Sequence, residues 1–305
     1  MGLRARAPVP APSRPASGAL RSGILAAAVL LAGKDARAID PFEIQVYDGT
    51  ANARGVPGLE LHVNRVFAGL KTSAPPELPQ DQQTHFTLEP SIGVAPWWEL
   101  GGYFQTTLRG DGTFDYAGVK LRSKFVSPPG WQPHLRLGLN LEVSLLPEAY
   151  DRDRWGAEIR PIVAWEDERW LLVVNPIVDV PLAGPDWRQG PTFEPALMAK
   201  VKIAGVVAVG PEYYAAFGPI ASPAGWNEEQ QYLYEAVDVL GLRRIEINVG
   251  VGEGLTSSSN AFVAKMILGY AWDREAKDAP APASSAPASS APASSATLRA
   301  LGRRW

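Results

Sequence analysis

The stretch from His134 to Val143, HLRLGLNLEV, decides how this chain is read. Leu135, Leu137, Leu139, Leu141 and Val143 alternate with His134, Arg136, Gly138, Asn140 and Glu142. Successive side chains of a strand point to opposite faces, so a period of two means a β-strand with one apolar and one polar side. The same alternation recurs on both sides of this stretch. It runs through Leu59–Phe67, Thr84–Val94, Glu99–Leu108, Thr113–Val126, Ala157–Trp165 and Trp170–Val180. It continues in Phe193–Ile203, Val206–Phe217, Gln231–Leu240, Arg243–Val251 and Asn260–Trp272.

With His134–Leu146 the count is about twelve strands. Short turns such as Ala95-Pro96, Glu166-Asp167-Glu168, Ala204-Gly205 and Gly241-Leu242 alternate with longer connections. An even strand number, tight turns at one end and longer loops at the other form the pattern of an outer-membrane barrel. The tryptophans Trp97, Trp98, Trp131, Trp155, Trp165, Trp170, Trp187, Trp226 and Trp272 fall near strand ends, where interfacial girdles form. The expected fold is all-β: an antiparallel up-and-down transmembrane β-barrel of about 12 strands.

Composition agrees. Hydrophobic residues make up 46% of the chain, ordinary for a soluble protein. A barrel hides in that range because only every second wall residue meets lipid. After the leader no apolar run reaches the roughly 18–20 residues a membrane helix needs. A net charge of -3 gives no reason to expect a nucleic-acid partner, and the absence of cysteine excludes disulfides and thiolate metal sites.

Residues 1–38 read as a signal peptide. Arg4, Arg6, Arg14 and Arg21 precede the short apolar stretch Gly23–Gly33, and Ala36-Arg37-Ala38 is a small-residue cleavage site. Residues 39–57 are expected as an N-terminal periplasmic segment, 58–272 as the barrel and 273–305 as a disordered Ala/Pro/Ser-rich tail. Three copies of PASSA cannot supply a core. The expected location is the bacterial outer membrane, with membrane lipid and the barrel-assembly machinery as partners. The stretch KMILGYAW (Lys265–Trp272) resembles the terminal signal that this machinery reads, although Ile267 stands where glycine is usual and a tail follows it.

The stretches THFTLEPSIGVAPWWELGGYFQT (84–106), GVKLRSKFV (118–126) and WGAEIRPIVAW (155–165) carry a wider resemblance. Over Leu59–Phe217 the chain resembles poorly characterised bacterial outer-membrane β-barrel proteins of the putative transporter type. That resemblance implies uptake or efflux and no reaction.

A charge facing lipid near the midplane costs roughly 2–4 kcal/mol for Arg or Lys, so the wall charges should face the lumen. Glu60, Glu89, Lys120, Arg122, Lys124, Arg136, Glu142, Glu158, Arg160, Glu194, Glu212, Arg244 and Glu246 are the expected lumen or ligand-facing residues. They are expected to pair across an ion-filled interior or to line a polar path for a small solute. In that path the Lys120, Arg122, Lys124 ladder would attract an anion. No cofactor, metal site or catalytic group is expected. His62, His85 and His134 have no partner at metal-ligand spacing, and Ser144 stands ten residues from His134 along one strand. Two alternatives stay open: a closed structural or binding barrel, and a soluble secreted β-barrel binding a small apolar ligand, with the polarity of its faces reversed. Prolines at Pro90, Pro161, Pro176, Pro195 and Pro211 sit awkwardly in strands, because proline removes a ladder donor.

Overall fold

The computed structural model describes residues 39–242 and 244–272. The expected signal peptide and tail lie outside the described residues. No described residue is helical. Fourteen strands form one sheet that closes on itself, because β1 (Pro57–Ala68) pairs antiparallel with β14 (Phe262–Ala271).

The strands in between are β2 (Thr84–Ala95), β3 (Trp98–Leu108), β4 (Phe114–Val126), β5 (Leu135–Leu145), β6 (Trp155–Glu166), β11 (Val207–Ala216), β12 (Gln230–Val239) and β13 (Ile245–Gly254), together with two broken staves. The first broken stave is β7 (Trp170–Asn175) with β8 (Val178–Ala183), both of which pair with β6. The second is β9 (Thr192–Phe193) with β10 (Ala196–Ile203). The fourteen strands therefore make a closed barrel of twelve staves.

The breaks fall at Pro176 and Pro195, where no N–H is available to continue a ladder. Pro90 and Pro211 face outward and exposed within their strands. The β10–β11 register skips from Met198↔Glu212 to Val201↔Val209, so pairing lapses beside Gly210-Pro211. Proline is thus accommodated by splitting staves and by local gaps, and the barrel still closes.

The faces of β5 settle the polarity. Leu139, Leu141 and Val143 are 36%, 38% and 46% exposed on the outer wall, while Asn140 and Glu142 are 0% and 3% exposed inside. Leu88, Phe104, Leu121, Ile159, Val163, Leu233 and Leu268 extend the apolar outer surface around the barrel. A soluble barrel would have the reverse polarity, so the lipid-facing assignment stands. Exposed tryptophans mark both ends: Trp97, Trp131, Trp165, Trp170 and Trp272 at the short-turn end, and Trp155, Trp187 and Trp226 at the long-loop end. Inside, Tyr234 covers Gly252, its direct partner on β13, and a Cβ there would meet the ring at 2.5 Å.

The lumen is filled by the chain's own residues 39–56. The sequence reading placed this stretch in the periplasm. The structure threads it from the long-loop end, where Ile39 N–H donates to Gln230 Oε1, to the short-turn end, where it enters β1. The physical reason lies in its composition. Ile44 and Val46 are apolar and bury against inward Val66, Val173, Met198, Tyr214, Tyr232 and Val263, and Phe42 is buried edge-on against the rings of His85 and Tyr150. Full burial of such side chains stabilises by about 1.5–3 kcal/mol each.

Candidate functional site: the occupied lumen

An irregular segment inside a barrel must satisfy its backbone polar groups without a ladder. Inward side chains of the wall do this, residue by residue. Asn64 donates to the Pro41 carbonyl, Thr87 to Phe42, Lys265 to Ile44, Arg160 to Gln45 and Arg136 to Asp48. Asn175 does it twice: its Oδ1 accepts from Tyr47 N–H at 2.7 Å, and its Nδ2 donates to the Tyr47 carbonyl at 3.0 Å. Glu99 accepts the N–H of Asn52 at 2.5 Å. At the exit, Gly55 N–H donates to the Gly93 carbonyl and Gly93 N–H to the Val56 carbonyl. A Cβ at Gly93 would stand 2.1 Å from the Ala53 carbonyl oxygen, so only glycine admits this approach.

Charge pairing fixes the centre. Glu43 lies between Lys120 at 3.5 Å and Arg160 at 3.4 Å, and it accepts from the Tyr47 hydroxyl at 2.8 Å. The Tyr47 and Tyr103 hydroxyls lie against each other, and Tyr103 donates to Glu142 at 3.1 Å. The Arg160 guanidinium stacks 4.5 Å over the Tyr47 ring, a cation–π contact between buried side chains.

The residues expected in the lumen are placed as follows. Glu89, Lys120, Arg122, Glu142, Arg160 and Glu212 are buried inside. The Lys120, Arg122, Lys124 ladder is already paired. Lys120 reaches Asp40, Glu43 and Glu142. Arg122 lies between Glu89 (2.6 Å) and Glu99 (2.9 Å), and Lys124 lies 2.9 Å from Glu99. An anion would have to displace these carboxylates. Arg122 lies over Gly101, its register partner, which leaves room for the guanidinium. Glu158 pairs with Arg160 (2.7 Å), and Arg136 with Asp48 and Glu166. Glu212 sits between Lys200 (2.7 Å) and Lys265. Glu194 accepts from the Thr192 hydroxyl beside the β9–β10 break. Glu60 and Glu246 are half-buried, and Arg244 is exposed at the short-turn rim.

Sequence reasoning missed Glu43, Tyr47, Asn52, Glu99, Tyr103 and Asn175. For the first two a signal existed: FEIQVYD (Phe42–Asp48) is apolar and charged in a way that needs a partner. Asn175 carried none, because its role depends on the neighbouring chain. Ser144 and His134 lie at opposite ends of β5, His134 bonding the Glu166 carbonyl at the short-turn end, so they form no catalytic pair.

Two of the cavities against the segment lie toward its two ends. The one toward the long loops, about 90 Å³, is lined by Asp40, Glu77, Asp151, Glu158, Asp179 and Glu194 against a single ammonium, Lys120. Burial pushes the Glu77 carboxyl above the usual carboxylate range, although the Arg152 N–H it accepts pulls the other way. The cavity toward the short turns, about 100 Å³, is lined by Asp48, Glu60, Glu89, Glu99, Glu212, Asp238 and Glu246 against Arg122, Lys124, Lys200 and Lys265. Both are acidic.

With this geometry in hand, comparison with solved structures is direct. The chain is similar to an outer membrane channel from Pseudomonas putida F1: TM-score 0.52, 10% identity, covering 75% of this chain and all of that one. It folds as an outer-membrane β-barrel. Further similar structures include the KdgM porin (TM-score 0.45, 8% identity, 70% of this chain and 98% of that one) and outer membrane phospholipase A from Escherichia coli (0.38, 10%, 77% and 93%). No protein-family model matches the chain, and no curated protein does. At these identities the likeness is one of fold; what this barrel does rests on its own lumen.

Proposed function

We propose that this outer-membrane barrel is a narrow channel for small cationic or neutral solutes, occluded by its own residues 39–56. Short turns face the periplasm and long loops the outside, the usual asymmetry of such barrels. In this reading the chain is exported on residues 1–38 and inserted by the barrel-assembly machinery.

The observation that carries the reading is the pair of acidic cavities at the two ends of a polar lumen, separated by a segment that is no part of the wall. A solid structural barrel has no use for such cavities. Their excess carboxylates raise the local concentration of cations and exclude anions. The ion-paired ladder leaves the anion path without free cations to line it.

The test is conductance and reversal potential of the full chain in planar bilayers under a KCl gradient. Small conductance with a reversal potential on the cation side is expected. The chain has no cysteine, so an Asn52→Cys, Ser91→Cys pair, placed where Asn52 Nδ2 now meets Ser91 Oγ at 2.9 Å, tethers the segment selectively. Oxidation should suppress conductance and reduction restore it. A folded barrel that conducts nothing, tethered or not, would establish the closed structural alternative instead.

A further inference from the structure

The cavity on the short-turn side has a feature that passage of solute does not require. Glu89, Glu60, Gly269 and Glu246 stand on one rung of the wall, across β2, β1, β14 and β13. A Cβ on Gly269 would meet Glu60 Cγ at 3.2 Å and Glu246 Cβ at 3.1 Å, so the two glutamates close over the glycine from either side. The neighbouring inward rung carries His62, Ile267 and Asn248. His62 is fully buried, with Nε2 3.1 Å from Glu89 Oε2 and 3.7 Å from Glu60 Oε2. One ligand atom from each of Glu60, His62 and Glu89 lies within 4.8 Å of the others.

The charges do not balance. Arg122 and Lys124 neutralise two of the four carboxylates Glu60, Glu89, Glu99 and Glu246, and among the described residues the remaining pair has no ion-pair partner but the imidazole, which reaches Glu60. Two half-buried like charges on one rung are costly unless protonated or bridged by a cation. Asn248 is a separate indication. It is 7% exposed and donates its amide to Asp238 and Glu212, which turns its Oδ1 away from them with no partner, in the wall of the same cavity. An orphaned buried carbonyl oxygen lining the same cavity as a carboxylate pair and an imidazole fits the donor chemistry of a divalent ion site.

We propose that this cavity binds one divalent cation of the first transition row, Zn²⁺ or Mn²⁺ in type, through Glu60, His62 Nε2 and Glu89, with Glu246 and Asn248 Oδ1 completing the shell. Imidazole with carboxylates suits these ions, and no thiolate competes. Gln45 of the lumenal segment donates to Glu60 Oε2 at 3.3 Å, so the ion braces the segment against β1.

The proposal stands apart from conduction and is read in detergent. Full-length protein, folded in micelles and stripped with a chelator, is titrated with Zn²⁺ by calorimetry and with Co²⁺ by visible absorption. One ion per chain is expected, with imidazole-type Co²⁺ bands. Glu60→Gln keeps the shape and should weaken binding at least tenfold; His62→Gln should do the same and abolish those bands. Glu253→Gln, on the outer wall, should leave binding unchanged. If His62→Gln fails to shift on heating as a folded barrel does, Glu60→Gln alone decides. No binding by the wild type, or equal binding by Glu60→Gln, overturns the site.

Discussion

Asn175 seats the lumenal segment by offering one amide side chain to both backbone groups of Tyr47. Asn175→Ala leaves a buried N–H and a buried carbonyl without partners, each costing roughly 1–3 kcal/mol. The barrel wall loses nothing, because the Asn175 backbone still pairs with Ala196. The expected outcome is a rise in the open population of about thirtyfold or more, at about 1.4 kcal/mol per decade, seen as larger or more frequent conductance steps with unchanged heat-modifiable migration. Arg122 tests the wall itself. Arg122→Met removes the main partner of Glu89, whereas Glu99 keeps Lys124. Stranding a buried charge costs about 3–5 kcal/mol, and Arg122→Met combined with Glu89→Gln should recover most of it. Urea titration of the folded band in vesicles checks both. That Arg122 faces inward was legible from alternation alone. That it is clamped was not, because its clamp includes Glu99, across the β3–β4 ladder, and Glu89, one stave further on.

At the scale of elements, the strands were written plainly in the sequence. Observed bounds such as Thr84–Ala95 and Trp98–Leu108 differ from the expected ones by a residue, since a period of two over ten residues admits one reading. The broken staves were legible in part: Pro176 and Pro195 marked the places, but only pairing of β7 and β8 with β6, and of β10 and β9 with β7 and β8, shows that both halves of each stay in the wall. Residues 39–56 were misplaced for a physical reason. Their backbone bonds go to wall side chains, so no strand or helix period marks them. The element that docks them on β2 is Gly93. Gly93→Val drives a side chain into the Ala53 carbonyl and should release residues 52–56 while β2 keeps its pairs with β1 and β3. Limited proteolysis in micelles should then cut within 39–56 at a rate at which the wild type stays intact, with the barrel core resistant in both.

For the whole molecule, what the sequence could not show is that the lumen is shared between wall and segment. The net polarity of the barrel, apolar outside and ionic inside, followed from the pattern because lipid penalises the reverse. Outward carboxylates depart from it, Glu253 toward the long-loop end of β13 and Glu235 in mid-strand. Glu235 lies near the middle of β12, on the exposed outer face, paired in register with Pro211 on β11 and Val251 on β13 and flanked by Leu233 and Val237. A carboxylate there faces hydrocarbon beside the lapse in β10–β11 pairing, where Pro211 leaves the sheet locally short of donors. Its cost at depth is below the roughly 2–4 kcal/mol of Arg or Lys, and it scales with the thickness of the apolar layer. Glu235→Leu should therefore stabilise the barrel by about 1–2 kcal/mol in lipid vesicles and by much less in small detergent micelles, where water reaches the side chain. Urea midpoints for both proteins in both media test this. A gain of equal size in micelles and bilayers would mean that Glu235 is strained within the wall and does not face the membrane core.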